Sequence, residues 1–118
     1  MTETNRRDRG FSAEGAACRH LERQGLSLRE RNFLARRGEI DLIMQDGDTL
    51  VFVEVRYRAS DSHGSALESI GPSKQRRLIH AARYYLQRSR RDCPCRVDVV
   101  AMTGETIEWI SNAFDASP

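Results

Sequence analysis

The sequence predicts a single α/β domain in which a mixed β-sheet of about five strands is flanked by helices. Amphipathic segments and apolar strands follow one another in the order helix, three strands, helix, two strands, which is typical of helices packed on a mixed sheet. A chain of 118 residues is a common size for one domain, and no internal repeat or linker-like stretch divides it. We therefore expect residues 1–118 to form one domain, with residues 1–10 as a polar, flexible tail.

The amino-acid composition indicates the general class of protein to expect. The chain is 39% hydrophobic and 31% charged, which is typical of a soluble globular domain. No apolar run approaches the roughly 18 residues of a membrane span, and the first residues lack the apolar segment of a secretory signal. We expect a cytoplasmic protein with no membrane partner. The three cysteines, Cys18, Cys93 and Cys95, are an odd number and do not predict a disulfide framework.

Basic residues are almost all arginine. Of 19 basic residues only Lys74 is a lysine. The planar guanidinium suits phosphate and base contacts, which favours a nucleic-acid partner, although GC-rich coding produces the same bias.

The first helix is predicted over residues 12–24, between an N-cap serine and Gly25. Glu14 shares its inward face with Cys18 and Leu21 at helical spacing. Such a carboxylate either meets the sheet or, because it lies in the first turn, faces solvent near the positive end of the helix dipole. Helical periodicity alone leaves both alternatives open.

An irregular first strand is predicted over residues 26–34, followed by a basic turn that contains Arg36 and Arg37. The next stretch, GEIDLIMQDGDTLVFVEVRYR, covers residues 38–58. Its Asp46-Gly47 dipeptide, flanked by alternating residues, predicts a type I′ hairpin. Two strands that are apolar apart from a few charged positions should therefore pair here.

The register of this hairpin follows from the turn. If the turn contains two residues, Gln45 pairs with Asp48, and Asp41 lies opposite Phe52 and diagonal to Glu54. Diagonal neighbours are roughly 7–8 Å apart, so the two carboxylates could converge on one ion.

Charged side chains share one face of these strands. Because strand side chains alternate, Asp41, Glu54 and Arg56 should project from the same side. The opposite side is predicted to be apolar, formed by Ile40, Leu42, Met44, Val51, Val53, Val55 and Tyr57.

The second helix is predicted from Ser73, its cap, to about Arg90. Its buried stripe contains Leu78, Ala82 and Tyr85, whereas Arg76, Arg83 and Gln87 face outward. Strands over residues 95–102 and 106–110 complete the predicted sheet.

Two carboxylates beside a cation suit metal-assisted phosphodiester hydrolysis. Asp41, Glu54 and the backbone carbonyl of Val55 would hold Mg²⁺ or Mn²⁺, which binds such oxygens and activates water. Arg56 would face the scissile phosphate, and Glu14 would act as an outer ligand or orient water.

The pattern E…GEIDLI…FVEV-(K/R)-x-R…K…RxDVV, from about Gly10 to Val100, resembles the YraN family of small, largely uncharacterised bacterial proteins. That family is regarded as having a restriction-endonuclease-like fold, similar to archaeal-type Holliday junction resolvases. The resemblance implies that Glu14, Asp41 and Glu54 match a motif of a helical Glu, an Asp and Glu-x-Lys. It also implies a metal-dependent endonuclease that acts on DNA, and it is compatible with a homodimer, since both strands must be cut.

Arg56 departs from this motif because it occupies the position of the lysine. A guanidinium keeps its proton in proteins, so only an electrostatic role remains for it. The chain is then either a nuclease with Arg56 as a phosphate clamp or a catalytically impaired nucleic-acid-binding protein. A third reading is that the acids only balance Arg56 and Arg58. The cations expected to contact nucleic acid are Arg36, Arg37, Arg58 and Lys74.

Overall fold

A computed structural model of the protein describes residues 6–58, 68–90, 92–104 and 106–114, with side chains from residue 13 onward. The described elements follow the predicted order. They are α1 (Arg6–Arg23), β1 (Ser27–Ala35), β2 (Gly38–Asp46), β3 (Thr49–Arg58), α2 (Pro72–Ser89), β4 (Cys95–Thr103) and β5 (Thr106–Phe114).

The five strands form one mixed sheet in the order β1-β2-β3-β4-β5. Strands β3 and β4 are parallel and are connected through α2, whereas the other neighbours are antiparallel. One helix covers each face of the sheet. The α1 side buries Ala13, Ala17, Cys18, Leu21, Leu42, Met44, Val51 and Val53; the α2 side buries Phe33, Ile40, Ile43, Phe52, Leu78, Ala81, Ala82 and Tyr85. The predicted fold class is confirmed, and the architecture is consistent with a nuclease-like α/β fold.

Element ends differ from the sequence prediction. Helix α1 begins at Arg6, so residues 6–10, expected in a flexible tail, are helical, while residues 1–5 lie outside the described part of the chain. Gly25 follows the helix as predicted, with a φ of 103°. This conformation favours glycine because a side chain would be strained there.

Helix α2 begins one residue before the predicted cap. Its N-cap is Gly71 and Pro72 occupies the first turn, so Ser73 is already helical. Proline is well suited to this place, since its φ is preset for a helix and its missing N–H would lack a helical partner anyway.

The β2–β3 hairpin closes one residue later than predicted. Asp46 pairs with Thr49 and Ile43 with Phe52, so the loop is Gly47-Asp48. The predicted pairing of Asp41 with Phe52 is therefore wrong. If the same register continues by one residue beyond the last pair, Leu42 and Val53, then Asp41 lies directly opposite Glu54.

Side-chain alternation breaks at Asp41. Ile40 and Ile43 lie in the same cluster on the α2 side although they are three residues apart, so Ile40 does not share the face of Leu42 as expected. In the neighbouring strand, Asn32 adopts a φ of 53° at the corresponding position. Both strands are irregular here, and Asp41 interacts with Glu14 of α1 as well as with Glu54 of β3.

Close packing at Gly38 fixes where α2 lies on β2. A Cβ atom at this position would come within 2.6 Å of the backbone carbonyl oxygen of Arg77. We expect Gly38→Ala to lower the free energy of unfolding by roughly 1–3 kcal/mol, because backbone atoms on both sides would have to move. Urea denaturation measures this change.

Gly15→Ala is the matched control for that substitution. Its Cβ would meet only the end of the Arg19 side chain, at 3.4 Å, inside a helix. We expect this variant to be more stable than the wild type by roughly 0.5–1 kcal/mol. Equal effects at the two glycines would contradict the close approach of α2 to β2.

Candidate active site

Two glutamates interact with Asp41 where the pairing of β2 with β3 ends, after Leu42 and Val53. Phe52 belongs to the α2 side and Val53 to the α1 side, so alternation directs Glu54 towards α2. Glu14 approaches from α1 on the other side. Asp41, at the irregular position, interacts with both glutamates and connects them.

A backbone hydrogen bond holds Asp41 in place. The N–H of Val55 donates to Asp41 Oδ2 at 2.8 Å. This hydrogen bond forms just beyond the last paired residues of β2 and β3. It satisfies the backbone N–H of Val55, so the pairing can end here without leaving an unsatisfied donor. The carboxylate of Asp41 is consequently fixed between Glu14 and Glu54.

Glu54 is nearly inaccessible to solvent, with 4% of its side chain exposed. Burial, reinforced by the negative charge of Asp41, raises the pKa of Glu54 to about 8, although Lys74 and Arg56 act against this shift. Lys74 Nζ lies 3.6 Å and Arg56 Nη1 lies 3.9 Å from Glu54 Oε2. Both distances exceed the range of a direct hydrogen bond, so neither cation is bound tightly to this carboxylate.

Glu14 shows the same behaviour at the α1 side. Burial, followed by the charge of Asp41 and a hydrogen bond with it, raises the pKa of Glu14 to about 7. Arg31 opposes the shift from 4.0 Å. Glu14 Oε1 is buried and accepts no hydrogen bond from the described residues.

These features fit a divalent cation. Among the described residues, no three His, Cys, Asp or Glu side chains gather tightly enough to hold a metal by themselves. Mg²⁺ usually takes only one or two carboxylates and completes its shell with water and substrate phosphate. Asp41 and Glu54 are the two carboxylates that such an ion would use, and Glu14 interacts with Asp41 beside them.

The two cations of the site differ in how they are held. Arg56 Nη2 donates to the carbonyl oxygen of Ser69 at 3.0 Å, and Arg56 Nε donates to Ser69 Oγ at 3.3 Å. This arginine therefore ties β3 to the segment that leads into α2. Lys74, in the first turn of α2, is the nearer cation to Glu54.

Comparison with known proteins then identifies the family. The model of the uncharacterised protein family UPF0102 matches residues 13–102. The chain belongs to the UPF0102 family. A UPF0102 protein of Chromohalobacter salexigens is 54% identical over 114 residues, covering 93% of each chain. That of Herminiimonas arsenicoxydans is 52% identical over 107 residues, covering 91% of this chain and 86% of the relative. That of Pseudomonas fluorescens is 48% identical, covering 98% and 100%. The resemblance to the YraN family is thereby confirmed.

The UPF0102 match spans the whole carboxylate cluster and the lysine beside it. Of the predicted site residues, the structure brings together Glu14, Asp41, Glu54, Arg56 and Lys74, with Val55 contributing through its N–H. Their chemical roles stay predictions.

The remaining predicted cations lie around this end of the sheet. Arg36 and Arg37 are exposed in the turn before β2, and Arg58 ends β3. The contacts of Arg31 with Glu14 and of Ser69 with Arg56 were not predicted, because no motif or periodicity around these two residues indicates a place in the site. No helix in the described part of this UPF0102 chain is long and apolar enough to cross a membrane.

Proposed function

We propose that this protein is a metal-dependent endonuclease that hydrolyses phosphodiester bonds in DNA. The observation that carries the proposal is the convergence of Glu14, Asp41 and Glu54 from three elements, with Lys74 beside them. Burying carboxylates together is costly unless a cation or a proton compensates them, and the raised pKa values of Glu14 and Glu54 express that cost.

Asp41 and Glu54 would hold Mg²⁺ or Mn²⁺, together with the carbonyl oxygen of Val55. When bound, such an ion activates water and neutralises charge on the transferring phosphate. The Val55 N–H keeps the Asp41 carboxylate oriented, and Glu14 can accept a proton from water at Oε1, which accepts no hydrogen bond from the described residues. Lys74 and Arg56 attract the phosphate and stabilise its developing negative charge.

Lys74 offers an answer to the missing lysine of the Glu-x-Lys motif. Its ammonium approaches Glu54 from α2, whereas Arg56 is engaged with Ser69. We assign the role of the active-site cation to Lys74 and a positioning role to Arg56. An ammonium on a flexible stem can follow the phosphate as its geometry changes.

Cleavage of labelled duplex, branched and single-stranded DNA tests the proposal. We expect cutting with Mg²⁺ or Mn²⁺ and none with EDTA. Glu54→Gln should reduce the rate by at least roughly 100-fold, since altering even a residue that supports a metal ligand commonly costs 10–100-fold. Lys74→Ala should be impaired more than Arg56→Lys. The exposed Glu108→Gln is the control and should cut normally.

The outcomes separate the alternatives. Binding without cutting, followed by activity in Arg56→Lys, would assign the wild type to catalytically impaired nucleic-acid-binding proteins. Cutting that survives EDTA or Glu54→Gln would contradict a metal site at Glu54. A homodimer is part of the proposal because one site per strand is needed to cut a duplex, and the cytoplasm is the compartment where a bacterial enzyme meets DNA.

A further inference from the structure

Charge is distributed unevenly between α2 and the rest of the chain. Pro72–Ser89 contains five of the 19 Lys and Arg residues and none of the 17 Asp and Glu residues. The remaining residues therefore carry 14 basic against 17 acidic side chains. A helix of this kind attracts polyanions even though the whole protein is only slightly basic.

The exposed side of α2 carries a continuous polar stripe. It consists of residues spaced by four and three along the helix, so that they lie on one face. All of them are exposed: Arg76, His80, Arg83, Gln87 and Arg90. From its first to its last member the stripe extends roughly 21 Å, which matches about six base pairs of a B-form duplex.

The opposite side of α2 is occupied by the core. Leu78, Ala81, Ala82 and Tyr85 are buried against the sheet. The helix therefore has no apolar face left to insert into a lipid surface, which an interfacial helix needs. Charge complementarity consequently favours a polyanion that binds to the stripe from outside.

The stripe lies on the helix that also supplies the cation of the carboxylate cluster. Lys74, which approaches Glu54 to 3.6 Å, lies in the first turn of α2 and is half-buried, whereas Arg76, two residues later, lies on the outer side of the helix. The exposed Arg36 and Arg37 directly precede Gly38, which packs against the backbone of Arg77. A duplex with a phosphate near the start of α2 would therefore meet further cations on the outer side of the same helix.

We propose that the outer face of α2 binds the phosphate backbone of duplex DNA on one side of the cleaved phosphate, through Arg76, Arg83 and Arg90. This inference rests on the proposed function for its choice of DNA. Contacts of this kind position the duplex without reading its sequence, because phosphate groups carry no direct sequence information.

Fluorescence anisotropy of a labelled duplex, measured in EDTA over a range of salt concentrations, tests the stripe without cleavage. The triple variant Arg76→Gln, Arg83→Gln, Arg90→Gln should lose roughly two to three units of the slope of log Kd against log salt, since each phosphate contact contributes about 0.9. The control is Arg19→Gln, Arg23→Gln, Arg29→Gln, which removes the same charge from exposed positions of α1 and β1. It should retain most of the wild-type slope.

Three results would overturn the inference: equal losses in both triple variants, no binding by the wild type at low salt, or equally effective competition by polyglutamate. Tighter, stripe-dependent binding of an RNA duplex would overturn the assignment to DNA. If the triple variant is less stable, the single variants Arg76→Gln and Arg90→Gln repeat the measurement, each with a loss of about 0.9 in slope. Stripe-dependent binding by a wild type that does not cut would support this inference while contradicting the nuclease.

Discussion

Asp98→Ala is expected to lower the free energy of unfolding by about 3–5 kcal/mol, the range seen when one partner of a buried ion pair is removed. The Asp98 side chain is fully buried on β4. Its carboxylate accepts from Arg96 Nε at 3.0 Å, from Trp109 Nε1 at 2.8 Å and from the N–H of Asn112 at 2.9 Å. Alanine would leave all three donors without this acceptor.

The location of Asp98 explains why the loss should be large. The pairing of β4 with β5 shifts between Val97 and Val99, directly at Asp98. Asn112 has a φ of 54° on the opposite strand, and Asp98 accepts the backbone N–H of this irregular residue. The carboxylate thus takes the place of a ladder acceptor and attaches the edge strand β5 to the sheet.

Asp46→Ala is the matched control, because Asp46 also pairs with Arg96, at 3.2 Å. Its side chain is 44% exposed, so its removal should cost less than about 1 kcal/mol. Guanidinium denaturation with tryptophan fluorescence measures both variants, since Trp109 itself donates to Asp98. Similar losses for the two variants would contradict the role assigned to Asp98.

Metal-free wild-type protein is expected to lose stability as the pH rises from about 5 to 8.5, by roughly 12–20 °C in Tm. The pKa of Glu54 is raised to about 8 in the folded protein, and an unfolded glutamate titrates near 4.3. Below the unfolded value both states are protonated and the folded state carries no penalty. Between the two values only the unfolded state releases its proton, so the free energy of unfolding falls, on the order of 3–5 kcal/mol in total.

Glu54→Gln isolates this effect because it retains the shape of the side chain but removes the titration. Its Tm should fall less over the same range, with the remaining fall due to Glu14, whose pKa is also raised, to about 7. The exposed control Glu108→Gln should keep the wild-type dependence. Differential scanning fluorimetry measures all three proteins. A Tm that rises with pH in the wild type, or an unchanged dependence in Glu54→Gln, would contradict the buried state of Glu54.

Mg²⁺ or Mn²⁺ extends the same measurement to the proposed metal site. At alkaline pH the ion should restore much of the lost Tm in the wild type, because it compensates the ionised carboxylates. It should have little effect on Glu54→Gln. An equal shift in both proteins would indicate binding elsewhere on the chain.

Much of the fold could be predicted from local patterns. Apolar alternation predicts β2, β3 and β4, and the stripe of Leu78, Ala82 and Tyr85 predicts α2. Those patterns reflect which side chains must avoid water, a property of each segment by itself. The boundaries were less accurate, and the extension of β5 to Phe114 depends on its attachment to Asp98, which lies on another strand.

The register of the β2–β3 hairpin could not be predicted from the turn residues alone. Asp46-Gly47 and Gly47-Asp48 are both acceptable turn dipeptides, and the structure uses the second. The choice depends on a contact outside the turn, since Asp46 pairs with Arg96 on β4. Residues 41 and 54 nevertheless remain neighbours, because the shift in register changes them from diagonal to directly opposite positions on the two strands.

The order of elements, the membership of the UPF0102 family and the three unusual acids in apolar surroundings, Glu14, Asp41 and Glu54, can all be read from the sequence. The cation that accompanies these acids depends on tertiary packing. Lys74 reaches Glu54 because α2 packs against β2 so closely that Gly38 has no room for a side chain, while Ser69 engages Arg56. Such proximity arises between residues far apart in the chain, where neither helical nor strand periodicity carries information about distance.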